Sequence, residues 1–261
     1  MKKLAIILVY MAMAIATPAV AQDAALKLGN EGSYPPFSIT KPDGTLTGID
    51  VEIAREICRR IGRECEFQTM EFKALLPSLI TGKIDMIAGG LSRRPERLDA
   101  SEFLDPHVLV QDGWLLPAGW GKGITDEDLN GLRIGIIKGA AWIEFMKLQR
   151  PSVEIVQYDN LQEIFLDMSA GRIDGAYGPE LGLSQVLEGQ ENADKWTFVP
   201  FTFEGRSTAG NSFAVGKGKT ALRDQMNAAL KTMFEDCTYT KIRSQFTKVK
   251  LSSREPDSCI K

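Results

Sequence analysis

Two segments of the chain resemble each other, ALLPSLITGKIDMIAGG at residues 74–90 and EIFLDMSAGRIDGAYGP at residues 163–179. Each shows helical spacing, then a turn containing glycine, a basic residue, isoleucine and aspartate, and then an apolar strand. Strand–helix–strand units of this kind build parallel sheets with helices on both faces. Two copies therefore predict two α/β lobes. Because ligands bind off the carboxyl ends of such strands, two facing lobes also predict a cleft for a ligand.

The flanking sequence alternates between strands and helices, as two lobes require. In the first series we expect strands at 26–30, 64–69 and 84–89, and helices at 50–62 (with Asp50 as its N-cap) and 72–82. In the second series we expect strands at 133–139, 153–158 and 173–178, and helices at 140–150 and 160–171. The final strand, SFAVGKG, and helices at 221–235 and 239–246 need a sheet to pack on. We assign them to the first lobe, which is then discontinuous.

The first 21 residues have the pattern of a secretory signal peptide. Lys2 and Lys3 precede an apolar stretch at 4–16, and Ala19-Val20-Ala21 is a cleavage site of the A-x-A type. A membrane anchor is the alternative, but the apolar run is short for a span. We expect export with cleavage near Ala21, no membrane insertion, and a periplasmic location, since no cysteine follows the cleavage site to carry a lipid.

Composition excludes some partners. The formal net charge is −3, and loss of Lys2 and Lys3 with the leader makes the mature chain more acidic. Such a chain lacks the basic surface that nucleic acids or anionic membranes attract.

Four cysteines follow the leader, Cys58, Cys65, Cys237 and Cys259. An even number in an oxidising compartment indicates disulfides. Three pairings are possible, and spacing favours Cys58 with Cys65 and Cys237 with Cys259. A zinc site is the weaker alternative, because the one histidine, His107, is remote in sequence and no C-x-x-C motif occurs.

Several motifs in a fixed order resemble one family. EGSYPPF, DGTLTGIDVEIAREIC, ALLPSLITGKIDMIAGGLSRRPER, LNGLRIGIIKGAAW and SAGRIDGAY together are similar to the polar amino-acid-binding proteins, the periplasmic receptors of ABC importers (solute-binding protein family 3). The receptors for histidine, for lysine/arginine/ornithine and for opines are the nearest in pattern. In the basic-amino-acid receptors the pair with the spacing of Cys58 and Cys65 is bridged.

The resemblance implies two lobes joined by two crossing strands and closing at a hinge. We place the hinges near residues 108–112 and 201–211. Lobe 1 would then comprise 22–110 and 205–261, and lobe 2 would comprise 111–204.

The resemblance also implies a carboxylate site within GGLSRRPER, residues 89–97. Arg97 corresponds to the arginine that grips the ligand's α-carboxylate, and a planar guanidinium can do so through two parallel hydrogen bonds. Ser92 would add an N–H and a hydroxyl, and Gly90 would offer its carbonyl to the ligand's amine. From lobe 2, KGAAW would present N–H groups at a helix start, those of Ala140 and Ala141.

Further positions of the family's site can be carried over. Tyr34 and Phe72 would sandwich the aliphatic part of the ligand, Glu31 would reach its side chain, and Trp142 would line the cleft or cover the lobe surface. Each also has an ordinary structural interpretation in the core.

The arginines of this segment have simpler interpretations too. Arg93 and Arg94 are expected to be solvated loop charges. Arg97 could instead pair with Asp99 or Glu102 at the surface.

The sequence departs from the family at Pro179. Receptors for free α-amino acids usually have an aspartate there that pairs with the α-ammonium, whereas proline cannot pair with a cation. Gly89 and Gly90 also replace hydroxyl residues. Either Glu180 or Glu31 supplies the carboxylate from a shifted position, or the ligand is an opine or another N-substituted amino acid. We favour the second hypothesis slightly.

Three function classes follow. The first is a monomeric receptor, without metal or cofactor, that delivers an amino acid or a derivative to a membrane permease and ATPase. The second is an enzyme of the cyclohexadienyl dehydratase type, with Glu180 or Glu31 as general acid and His107 in a structural role near a hinge. The third, a sensor ectodomain, needs a membrane span or signalling domain that the sequence does not contain.

Overall fold

The computed structural model describes residues 24–109, 111–188, 190–204 and 210–260. The predicted leader lies outside these residues. Thirteen strands are numbered here in chain order: β1 Leu26–Asn30, β2 Ser33–Tyr34, β3 Ser38–Thr40, β4 Leu46–Thr47, β5 Cys65–Thr69, β6 Met86–Ser92, β7 Ser101–Phe103, β8 Asp112–Pro117, β9 Arg133–Ile137, β10 Glu154–Tyr158, β11 Gly175–Pro179, β12 Trp196–Pro200 and β13 Asn211–Gly216.

Eight α-helices accompany the strands: α1 Ile49–Arg60, α2 Phe72–Ile80, α3 Pro95–Ala100, α4 Trp142–Gln149, α5 Leu161–Ser169, α6 Glu180–Leu187, α7 Thr220–Glu235 and α8 Thr238–Arg243. Every helix and strand that the sequence patterns predicted is present, with ends that differ by a few residues. The short strands β2 to β4, and β7, β8 and β12, were not predicted.

Two five-stranded sheets form two lobes. The first has the strand order β5-β1-β6-β13-β7, and the second has the order β10-β9-β11-β8-β12. A small third sheet, β2-β3-β4, adjoins the first. The C-terminal strand β13 lies beside β6, so the first lobe is built from two separate parts of the chain.

The repeated units suggested parallel sheets, but both large sheets are mixed. Strands β1, β5 and β6 run parallel, but β13 is antiparallel to both β6 and β7. In the second sheet β8 is antiparallel to β11 and β12. Each sheet is mixed because of the strand by which the chain enters that lobe from the other one, β13 in the first sheet and β8 in the second. This strand runs opposite to the strands of the repeated unit.

Two connections join the sheets, between β7 and β8 and between β12 and β13. They meet where Val108 forms an isolated antiparallel bridge with Asn211. This meeting point lies within the segments proposed as hinges. The exact lobe boundaries remain a prediction.

Each lobe has its own apolar core. In lobe 1, helices α1 and α7 pack on one face of the sheet around Leu28, Met86 and Phe213, all fully buried. In lobe 2 the core surrounds Trp114 and Tyr177, whose rings meet edge to face at 4.9 Å. Helix α2 covers the other face of the first sheet. The carboxyl ends of the central strands stay free of core helices and face the other lobe.

The N-cap of helix α1 is Gly48 and not Asp50, two residues earlier than predicted. Gly48 has φ of 125°, which suits glycine, and a Cβ there would lie 2.4 Å from the carbonyl oxygen of Phe37. Asp50 therefore lies within the first turn and its side chain is buried, where it contacts a residue far away in sequence.

Both predicted disulfides are present. The Cα atoms are 6.3 Å apart for Cys58–Cys65 and 5.3 Å apart for Cys237–Cys259, and the described residues include no free cysteine. The first bridge joins the end of α1 to the start of β5. The second ties the C-terminal segment to the end of α7. Within the described part of the chain, no helix is both long and apolar enough to cross a membrane.

Loop length predicts which disulfide matters more for stability. The bridged residues are 22 positions apart in Cys237–Cys259 and 7 apart in Cys58–Cys65. Chain entropy then predicts a loss of about 3 kcal/mol for the C237A/C259A variant and about 2 kcal/mol for C58A/C65A. Urea unfolding of both variants and the wild type measures these differences. An equal or larger loss for C58A/C65A would contradict the chain-entropy explanation.

Candidate functional site

A cleft between the two lobes gathers most of the residues singled out in the sequence. From lobe 1 and its small sheet come Glu31, Ser33, Tyr34, Phe37, Asp50, Phe72, Gly90, Ser92, Arg97, Val108 and Asn211. From lobe 2 come Ile137, Ala140, Ala141, Trp142, Asp159, Asn160 and Pro179. The carboxyl ends of β6, β9 and β11 all reach it, as expected for ligand sites in sheets of this kind.

Arg97 lies on α3 and contacts both lobes. Its Nη1 donates to the Ser92 hydroxyl at 2.8 Å and to the Ser92 carbonyl at 3.2 Å, and its Nη2 donates across the cleft to the Gly139 carbonyl at 2.9 Å. The side chain is 7% exposed. The alternative pairing with Asp99 or Glu102 does not form, since Glu102 pairs with Lys217 and Arg223.

Two of the five N–H donors of the Arg97 guanidinium remain open to a ligand. The two Nη1 hydrogens and one Nη2 hydrogen are used, which leaves Nε–H and the second Nη2 hydrogen without an acceptor among the described residues. This pair of parallel donors matches the two oxygens of a carboxylate. Burial, together with the like charge of Arg94, lowers the pKa of Arg97 to about 10. Among the described residues, the Arg97 guanidinium therefore has no anionic partner.

On the lobe 2 side, the turn after β9 approaches Arg97. Gly139 has φ of 77°, and its backbone lies close to that of Lys73 in lobe 1. Ala140 and Ala141 are buried and line the cleft directly before α4 begins at Trp142. The Ala140 N–H donates to the Ile137 carbonyl at 3.0 Å, so of the two predicted amide contacts with an anion, the one from Ala141 is left.

Aromatic side chains form the walls. Tyr34 and Phe72 line the cleft from lobe 1, and the Phe72 ring lies 6.0 Å from the Arg97 guanidinium carbon. Trp142 lines it from lobe 2, donating from Nε1 to Asp112 at 3.3 Å. Of the two sequence interpretations of Trp142, the structure places it in the cleft.

Glu31 lies in the cleft without a cationic partner. Its Oε2 is buried and makes no hydrogen bond among the described residues. Burial, and to a smaller extent the charge of Asp50, raises the pKa of Glu31 to about 8. The carboxyl group is therefore protonated in the empty cleft at neutral pH, and a cation would favour its ionised form.

Asp50 and Asn211 also reach the cleft, and the sequence analysis did not place them there. Asp50 Oδ1 lies 2.9 Å from His107 Nε2, and both side chains are buried. Asn211 begins β13 and its amide lies beside Gly90. The expected role of Asp50 as the N-cap of α1 concealed its place in the cleft. Asn211 had no signal, because its placement depends on the returning strand.

Two other predictions about the site need correction. Glu180 is exposed at the start of α6 and is not among the residues that line the cleft, whereas the neighbouring Pro179 is buried and lines it. Glu180 points away because Pro179 ends β11 and α6 turns off there. Arg93 and Arg94 are half-buried and not fully solvated: Arg94 donates to the Ala141 carbonyl of lobe 2 at 3.3 Å, and Arg93 to the Leu104 carbonyl.

No group of three His, Cys, Asp or Glu side chains that could hold a metal ion occurs within the described ranges.

The chain belongs to the bacterial extracellular solute-binding proteins, family 3, whose family model matches residues 26–249. This is the family suggested by the sequence motifs, and the two-lobed α/β fold agrees with it.

Individual relatives are similar over almost their whole length. The L-arginine-binding protein of Pseudomonas aeruginosa is 28% identical over 94% of this chain and 96% of its own. The histidine-binding periplasmic protein of Salmonella typhimurium is 30% identical over 94% of this chain and 97% of its own.

Solved structures give the same picture. An ancestral arginine-binding protein bound to arginine superposes with a TM-score of 0.78 at 29% identity, covering 86% of this chain and 99% of that one. An ancestral amino acid-binding protein described as a precursor of cyclohexadienyl dehydratase has a TM-score of 0.73 at 26% identity, covering 85% and 94%.

The pKa of Glu31 predicts how stability depends on pH in the ligand-free protein. Between its usual value of 4.5 and about 8, the folded protein holds a proton that the unfolded chain has released. The contribution of Glu31 to the free energy of unfolding is therefore greatest at low pH. It falls as pH rises through this range, by up to about 1.4 kcal/mol per pH unit.

Urea unfolding at pH 5.5 and 7.5 measures this effect in the wild type and in Glu31→Gln, which cannot titrate. The wild type should lose about 1–3 kcal/mol more than Glu31→Gln between the two pH values. Identical pH dependence in both proteins would contradict the assignment of a buried, uncompensated Glu31.

Proposed function

We propose that this protein is a periplasmic receptor that binds an amino acid or an amino-acid derivative between its lobes and delivers it to an ABC transporter. The observation that carries this proposal is that two ionisable groups of the cleft have no partner of opposite charge within the described chain. Arg97 lacks an anion, and Glu31 lacks a cation, yet the two do not pair with each other. A ligand with both a carboxylate and a cationic group would complete both.

The cleft chemistry favours a basic ligand. A carboxylate would take the open Nε and Nη2 donors of Arg97, together with N–H groups near Ala141. A cationic side chain would reach Glu31, and its aliphatic part would pack between Tyr34 and Phe72. The relatives named for arginine and histidine support the same class.

The finer identity of the ligand has two candidates. A standard basic amino acid agrees with the named relatives. An opine or another N-substituted amino acid agrees with Pro179, which lines the cleft where an ammonium-binding aspartate is usual in the family. The relatives favour the standard amino acid over our initial preference, and Pro179 keeps the substituted class as the second candidate.

We further propose that the cleft binds and does not catalyse. The enzyme hypothesis relied on Glu180 or Glu31 as a general acid. Glu180 is exposed and outside the cleft lining, so Glu31 is left as the one proposed acid in the cleft. Incubation with prephenate or arogenate should give no product, and turnover of either compound would favour the dehydratase hypothesis.

The remaining parts of the proposal concern partners and location. We propose a monomer, exported by the leader at residues 1–21, that docks through both lobes on a membrane permease with its ATPase. Contacts across the cleft would make closure depend on the ligand. The ligand meets the Arg97 lobe first, and contacts at Gly139 and Ala141 then favour the closed form, because both lobes touch the ligand only there.

Arg97→Ala tests the carboxylate site directly. Removing one partner of a buried charged pair should weaken binding by about 2–5 kcal/mol. The matched control is Arg172→Ala, since Arg172 is an exposed arginine of lobe 2 paired with Asp167. Isothermal titration with the ligand found by screening measures both variants. Wild-type affinity in Arg97→Ala would contradict the assigned site.

A thermal-shift screen on protein unfolded and refolded to remove carried-over ligand identifies that ligand. The panel contains the standard amino acids, opines, other N-substituted amino acids and polyamines. A ligand at 100 times its Kd adds about 2.7 kcal/mol of stability. A shift with lysine, arginine or histidine favours the first candidate, a shift confined to N-substituted compounds favours the second, and no shift at all contradicts the proposed function.

A further inference from the structure

Gly90 leaves a small space on the cleft side of β6 that two polar side chains border. A Cβ at Gly90 would lie 3.3 Å from Asn211 Nδ2 and 3.6 Å from Asp50 Oδ2. Asn211 and Asp50 therefore border the place that a side chain at position 90 would occupy. A ligand group placed over the Gly90 backbone would lie within reach of a carboxylate and an amide, both from lobe 1.

The contact with His107 engages only one oxygen of the Asp50 carboxyl group. His107 is fully buried, its Nε2 lies 2.9 Å from Asp50 Oδ1, and its Nδ1 has no hydrogen-bond partner among the described residues. A doubly protonated imidazole would leave a buried N–H unsatisfied, which is costly. A ring that carries its proton on Nε2 and donates to Asp50 Oδ1 satisfies the geometry, which leaves Asp50 Oδ2 toward the Gly90 space.

Among the described residues, no lysine or arginine side chain pairs with Asp50 Oδ2. Besides Asp50, the acidic and basic side chains that line the cleft are Glu31, Arg97 and Asp159. Asp159 pairs with Lys138 and Lys73, and Arg97 bonds to Ser92 and Gly139. A buried carboxylate without a counter-charge is unfavourable, and a cation from the ligand would relieve it.

We propose that lobe 1 alone holds the charged α-nitrogen of the ligand, over Gly90 and against Asp50 Oδ2, with the Asn211 side-chain amide turned so that its Oδ1, and not the donor Nδ2, accepts from the ligand. This inference rests on the proposed function, in which Arg97 binds the α-carboxylate and Glu31 the side-chain cation. Asp50 then takes the part that lobe 2 cannot take, because Pro179 offers neither charge nor a donor at the facing position.

One consequence concerns specificity. An uncharged lobe 2 surface at Pro179 tolerates a substituent on the α-nitrogen, provided that the nitrogen stays charged. The cleft would therefore discriminate by the charge of this nitrogen and not by the number of its hydrogens. Both a primary and a secondary ammonium satisfy Asp50, whereas an amide nitrogen leaves it unpaired.

Three probes separate charge from bulk at the α-nitrogen. L-arginine has a charged primary amine, N2-(1-carboxyethyl)-L-arginine a charged secondary amine, and N-acetyl-L-arginine an uncharged amide. Isothermal titration of the wild type should show that whichever charged probe binds more tightly exceeds the acetyl compound by at least about 30-fold, the lower end for loss of a buried charged partner.

Asp50→Asn is the decisive variant, because asparagine keeps the shape and can still accept from His107. The tighter charged probe should lose at least about 30-fold in affinity, whereas N-acetyl-L-arginine should change by less than about threefold. Asn211→Ala, which leaves the His107 contact intact, should weaken the same charged probe by about 3- to 10-fold. Asp99→Asn, an exposed acidic residue of lobe 1 outside the cleft, is the control and should bind all probes as the wild type does.

The outcomes separate the inference from the function on which it rests. One outcome is that Arg97→Ala abolishes binding while Asp50→Asn and Asn211→Ala bind the charged probes normally and unfold at the wild-type temperature. In that case the proposed function stands and this inference is wrong. Equal affinity of the wild type for the acetylated and charged compounds also overturns the inference alone. If no probe binds the wild type, the basic amino-acid assignment and the inference both fail.

Discussion

The buried guanidinium of Arg97 is the group on which the organisation of the cleft depends. It lies on the helix after β6, bonds to Ser92 in its own lobe and to the Gly139 carbonyl in the other, and keeps two donors without a protein acceptor in the described chain. A charge held this way needs an anion, and a carboxylate fits the remaining donors. On the proposed function, the same group links the lobes and binds the carboxylate of the ligand.

The rest of the site is defined by carboxyl groups that line the cleft without pairing with Arg97. Glu31 and Asp50 are carboxyl groups at one side of the cleft, and neither is paired with Arg97. Burial raises the pKa of Glu31 and lowers the pKa of Arg97, so the empty cleft disfavours charge on both sides. A ligand that carries its own positive and negative groups reverses both shifts. On the proposed function, the cleft can therefore favour zwitterionic ligands without forming an internal ion pair that would exclude them.

The sequence could predict what local pattern determines. The repeat at 74–90 and 163–179 implied two lobes. Gly90 and Ser92 line the cleft because they lie at the carboxyl end of β6, and Arg97 and Ala141 line it because they follow β6 and β9 closely. Long-range returns of the chain could not be predicted in this way. The antiparallel β13 brings Asn211 beside Gly90, and the His107 contact draws Asp50 away from capping. Glu180 was predicted in the cleft, but it comes one residue after Pro179, which ends β11 and lines the cleft. Successive side chains of a strand point to opposite faces, so a difference of one residue is enough to place Glu180 outside.

A crystal structure of the protein with the ligand found by screening tests the central claim most directly. The account predicts a ligand carboxylate whose two oxygens lie about 2.8–3.0 Å from Arg97 Nε and Nη2, with a ligand cation facing the carboxyl groups of Glu31 and Asp50. A carboxylate bound elsewhere in the cleft, or a ligand whose cation faces lobe 2 and leaves both acids unpaired, would contradict it.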